Sequence, residues 1–102
     1  MTAAEADRLQ AFVESQYGST AHLREVVTVS EEFRGQPVWQ GVVHVFDLEG
    51  HPTASVCYAW SSPVEGSDRR RFYAVLGVPP INSAADAVRA AIVADRKAGR
   101  PP

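Results

Sequence analysis

Between residues 23 and 78 lie four segments dense in β-branched and aromatic side chains, and each end of the chain carries one helical apolar stripe. That arrangement restricts the fold more than any other feature. Consecutive strand-type segments joined by short links favour an antiparallel meander, and terminal helices then have a sheet face to cover. A chain of 102 residues, 45% of them apolar, has room for one core, so a single domain over residues 1–102 is expected. The expected fold class is α+β. It is a two-layer sandwich in which a four-stranded antiparallel meander carries the N- and C-terminal helices on one face, in the order α-β-β-β-β-α.

Thr2 and Glu5 have the spacing of a capping box, which predicts a helix start at their position. Ala6, Leu9, Phe12, Val13 and Tyr17 then recur at intervals of mostly three and four, and Gly18 is a natural stop, so the first helix spans about 3–17. Residues 23–33 read as a strand and Arg34-Gly35-Gln36-Pro37 as a turn. The strongest strand is 38–48, interrupted only by Gly41, which a bulge or an aromatic neighbour lying over the glycine would explain. Residues 53–60 alternate between a large-residue face ending in Trp60 and a small-residue face holding Cys57.

Asp47-Leu48-Glu49-Gly50 fits a type I turn, which makes 38–48 and 53–60 a hairpin. Its register stays open, because loops of two and three residues bring opposite faces together. After a polar loop at 61–68, a fourth strand is expected at 72–78. Pro79-Pro80 ends it, Asn82 or Ser83 caps a last helix at 84–98 with Asp86 in its first turn, and Gly99 closes that helix.

Cys57 is the single cysteine, so no intramolecular disulfide can form, and a reducing, cytoplasmic setting is expected. Apolar runs are only a few residues long and the N-terminus has no apolar leader core, so no membrane association is expected.

Charge is segregated along the chain. Residues 1–68 carry three arginines against ten acidic residues, a balance of −7, and residues 69–102 carry seven basic residues against two aspartates, a balance of +5. Arg69, Arg70 and Arg71 precede the fourth strand, while Arg89, Arg96 and Lys97 fall on the last helix. Merged into one surface, they would suit phosphates or another anionic partner. The simpler reading is a solvated face that answers the acidic two thirds. Asp86 also opposes phosphate binding at the start of the last helix. Trp39 belongs to an aromatic set with Tyr58, Trp60, Phe72 and Tyr73, for which core packing is the default; any exposed member would mark a contact surface.

Candidate chemistry is sparse. His44 and Cys57 meet in some hairpin registers and would then place a base beside a thiol, yet no oxyanion or orienting group accompanies them. His22, His44, His51 and Cys57 lack paired-ligand spacing, and His51 reads as a turn residue. Glu31 and Glu32 beside Asp47 or Glu49 read as solvated strand ends. The glycines are isolated, with no phosphate-loop pattern, so neither cofactor nor metal is expected. The expected function is a small binding or regulatory protein without catalysis. It would engage a protein, or a second copy of itself, through an open sheet face or the basic C-terminal third. A nucleic-acid backbone is the second candidate partner, and a small enzyme built on Cys57 and His44 the third reading.

Overall fold

A computed structural model describes residues 3–64 and 66–97. The elements are α1 (Ala3–Tyr17), β1 (Thr20–Phe33), β2 (Gln36–Glu49), β3 (Val56–Pro63), β4 (Arg70–Leu76) and α2 (Ala84–Lys97). All neighbouring strands pair antiparallel in one sheet of order β1-β2-β3-β4, so the α+β meander is as expected. Thr2, Ala98, Gly99 and Arg100 lie outside the described residues.

Local chemistry sets the boundaries. Gly18 takes φ +65° and donates its N–H to the Glu14 carbonyl at 2.8 Å, closing α1. The Glu14 carboxylate accepts the Ala21 N–H at 2.9 Å, which leads the chain directly into β1. This strand therefore starts at Thr20 rather than residue 23. Arg34 and Gly35, at φ +53° and +77°, form the two-residue turn to β2. Ser83 caps α2 by accepting the Asp86 N–H at 3.1 Å, and the Asp86 carboxylate reaches back to the Asn82 N–H at 3.0 Å.

The β2–β3 link departs from the expected type I turn. Strand β2 runs through Asp47 and Leu48 to Glu49, and the reversal is made by Gly50 at φ +88° and the residues after it. His51 Nδ1 accepts the N–H groups of Thr53 and Ala54 at 3.1 and 3.0 Å, so 53–55 belong to the loop and β3 begins at Val56. His51 is thus a turn residue, as its sequence context implied. Strand β4 is likewise shifted, to Arg70–Leu76 instead of 72–78.

The helices lie on opposite faces of the sheet, not on one. Val43 and Val45 of β2 share a face with Val29, Tyr58 and Trp60, and Ala84, Ala87 and Val88 of α2 cover it. Phe46, Cys57 and Ala59 face the other way, beneath Leu9 and Val13 of α1. The physical reason is the run Val42-Val43-His44-Val45-Phe46, which puts bulky side chains on both faces of a strand; one helix can cover only one of them. The result is a helix–sheet–helix arrangement. Both faces of the 38–48 strand are therefore core over residues 43–46, and neither face of the sheet is left fully uncovered as a binding surface. Bare sheet is confined to the outer hairpin, where Val26, Thr28, Ser30 and Gln40 are exposed on the α1 side.

Candidate binding cleft

The ladder between β2 and β3 runs only from Asp47–Val56 to His44–Ala59. Beyond His44, β2 stays with β1 as far as Gln36, while β3 stays with β4 as far as Pro63. The sheet consequently splits into a fork. A cleft of about 350 Å³ lies in it, with Gln40, Gly41 and Val42 on one bank and Ser61, Ser62 and Pro63 on the other.

Backbone alternation says what the banks present. The Leu48 N–H donates to the Ser55 carbonyl at 2.9 Å, so the even-numbered residues of β2 aim their polar groups at β3. Two and four residues beyond the last rung at His44, Val42 and Gln40 would aim theirs the same way, across the cleft. On the opposite bank the Gly77 N–H donates to the Val56 carbonyl, so the odd residues of β3 face β2. Ser61 is one of them, and its carbonyl accepts Arg70 Nη2 at 3.0 Å.

Two side-chain assemblies flank the cleft. On the α2 side the Trp39 ring lies over Gly41, where a Cβ would stand 2.9 Å from the indole. An aromatic cover, one of the two explanations available for this glycine, is the one found. Trp39 Nε1–H donates to Ser62 Oγ at 3.4 Å across the fork. Its ring meets Trp60 edge-on at 6.0 Å, Trp60 stacks on Tyr73 at 5.2 Å, and the Tyr73 hydroxyl donates to Asp95 at 2.8 Å. On the α1 side, buried Ser61 donates its hydroxyl to Glu5 at 3.3 Å and accepts Arg70 Nε at 2.7 Å.

His44 sits at the apex of the fork on the α1 side. It is fully buried, its ring is stacked against Phe46 at 6.4 Å and 18°, and among the described residues neither ring nitrogen finds a hydrogen-bond partner. Burial lowers its pKa from the ordinary 6.5, with the Glu5 charge acting the other way. Cys57 faces Phe46, while His44 faces Ala59. The Cys57 thiol is buried, and that burial pushes its pKa up to about 12, so it stays protonated and inert.

The candidate basic residues do not all converge. Arg70 and Arg71 pair with Pro63 and Ser62 and so project to opposite faces; Arg71 Nη1 reaches the Tyr73 hydroxyl at 3.5 Å. Arg69 is exposed before β4, its N–H held by Ser67 Oγ at 2.8 Å. Arg89 is tied to Glu31 at 2.6 Å and Asp86 at 3.3 Å, and Arg96 and Lys97 are exposed in the last turn of α2. Of the candidates, Trp39 and Arg70 meet at the cleft. Glu31 pairs with Arg89 and Asp47 with Arg24, so these two carboxylates are each matched by an arginine and do not form an acidic site together.

Gln40, Ser61 and Ser62 were not singled out from the sequence, and Glu5 was read only as a helix-capping residue. The Ser-Ser pair directly after Trp60 is the one signal available, and it reads equally well as the start of a loop. Among the described residues no group of three or more His, Cys, Asp or Glu is placed to hold a metal ion, and no helix is long and apolar enough to cross a membrane. Comparison with protein-family models, with characterised proteins and with solved structures returns no match.

Proposed function

We propose that the protein is a binding module that receives an extended segment of a partner polypeptide in the β2–β3 fork. The observation that carries this reading is the early end of the ladder at His44–Ala59, which leaves two strand edges facing each other across a cleft of about 350 Å³. An added strand obtains affinity from backbone hydrogen bonds and specificity from alternate side chains. Gln40 and Val42 would supply the backbone groups, Trp39 an aromatic anchor, and Arg70 and Glu5 a polar rim. Binding is favoured over Cys/His catalysis because the Cys57 thiol is buried with its pKa raised to about 12. A reduced, buried thiol also suits a cytoplasmic protein.

The test is a displayed library of random linear peptides, selected on the folded protein and measured by calorimetry against Val42→Pro. Proline removes an N–H that faces the cleft and leaves the edge toward β1 untouched. Affinity should fall about tenfold or more, the scale of one lost backbone hydrogen bond, with an unchanged circular dichroism spectrum. Equal binding by the variant, or selection of no peptide at all, would overturn the reading. Binding of generic RNA that falls steeply with salt would instead favour the arginines as the contact surface.

A further inference from the structure

We propose that His44 is a proton-operated latch on α1, and that protonating its imidazole releases this helix from the sheet while α2 stays docked. This device is independent of whether the fork binds a peptide. His44 is fully buried and neither nitrogen has a partner among the described residues, so an imidazolium formed there would bury a charge and two unsatisfied N–H donors. The surroundings offer little relief. From β1 the opposed residue is Val26, and from β3 it is Ala59, with the protonated Cys57 thiol further along the same face. From α1, Leu9 and Val13 pack on the same face around Phe46 and Ala59, and the Glu5 carboxylate, which acts on His44, already accepts the Ser61 hydroxyl; from β4, Arg70 holds the same serine and opposes added positive charge.

The way out for the ring is the α1 side, the face on which His44 lies beside Phe46. That helix joins β1 through the short Gly18-Ser19 link, and besides its apolar contacts it is held to β4 by the Tyr17 hydroxyl on the Ala74 carbonyl at 3.0 Å and by Phe12 against Phe72. Its core, built on Leu9, Val13 and Phe46, is a cluster separate from the one that Trp60, Val43 and Val45 form with α2 on the opposite face. Lifting α1 therefore exposes His44 to water without opening the aromatic core. Because Glu5 also lines the fork, the same event removes part of the cleft wall.

Amide hydrogen exchange resolved by residue, recorded from pH 7.5 to 5 and expressed as protection factors, tests the latch. Protection of α1 should fall by up to about tenfold per pH unit below 6.5, the limit set by one proton bound in the open form and absent from the closed form. Protection of α2 should hold. His44→Phe keeps a ring against Phe46 and removes the titration, and should abolish the dependence; His44→Leu serves if that variant fails to fold. Equal loss in α1 and α2, no loss in α1, or persistence of the dependence in the folded variant would each overturn the proposal.

Discussion

The two faces of the sheet are built from different chemistry. Beneath α2 the interior is mainly apolar: Trp60, Tyr58, Val43 and Val45 pack on a helix whose contacts are mostly alanine, and the Tyr73 hydroxyl and the Trp39 N–H are paired, with Asp95 and Ser62. Beneath α1, Phe46 and Ala59 share the space with His44, Cys57 and Ser61. One face is held mainly by apolar area, with the buried acid Asp95 engaged by the Tyr73 hydroxyl. The other includes groups whose charge or hydrogen bonding can change, so the α1 side is where the molecule can respond.

The largest expected effect lies on the α2 face. Trp60 is 2% exposed and touches both Trp39 and Tyr73, so Trp60→Ala should cost about 4 kcal/mol in urea unfolding. A cost near 1 kcal/mol would show that α2 does not cover the main core, and would collapse the distinction between the faces.

The second prediction concerns the α1 face and pH. His44 has a folded pKa below its ordinary 6.5, chiefly through burial, so in the window beneath 6.5 the unfolded chain binds a proton that the folded protein does not. Stability contributed by the neutral ring is complete above 6.5 and is lost as pH falls toward the folded value, by at most about 1.4 kcal/mol per pH unit. Urea midpoints for wild type and His44→Phe should diverge between pH 7 and 5, with the variant less sensitive. Parallel curves would assign the acid response to other groups.

Much of this was legible in the sequence. The helical stripe ending at Gly18, the strand count, the buried face of Trp60 and the turn role of His51 follow from periodicity and local turn chemistry. The disposition of the helices was not legible, because the alternation in 42–46 shows two apolar faces without saying which helix covers which. The fork was hidden for a related reason: where a ladder stops depends on how two strands diverge in space. Its polar bank joins Glu5 to Ser61, 56 residues apart, a distance that local patterns do not span. The arginine run does not lie on one surface, since neighbours in a strand project to opposite faces.

Gly41 offers a test at the boundary between the faces. A Cβ there would stand 2.9 Å from the Trp39 ring, so Gly41→Ala should push the indole off the strand and weaken its link to Ser62. The expected cost is about 1 kcal/mol, at the lower end of overpacking effects, with an altered tryptophan emission spectrum. Unchanged emission would mean that Trp39 does not bridge the fork in solution.

The smallest effects give the sharpest comparison, because Arg70 and Arg71 are adjacent in sequence and serve different faces. Arg70 donates to both the hydroxyl and the carbonyl of Ser61, and removing it leaves a buried serine oxygen and a strand-edge carbonyl without their cation. Arg71 makes a single long contact with the Tyr73 hydroxyl, whose stronger partner is Asp95. Arg70→Ala should therefore cost about 1 kcal/mol, the worth of one or two net hydrogen bonds. Arg71→Ala should cost less than about 0.5 kcal/mol, as for an ordinary surface change. Equilibrium unfolding of the two variants at the same pH and salt measures the difference directly. If the order is reversed, the α2 rim and not the Ser61 bank carries the stabilising cation, and the cleft loses the polar wall on which its α1 side depends.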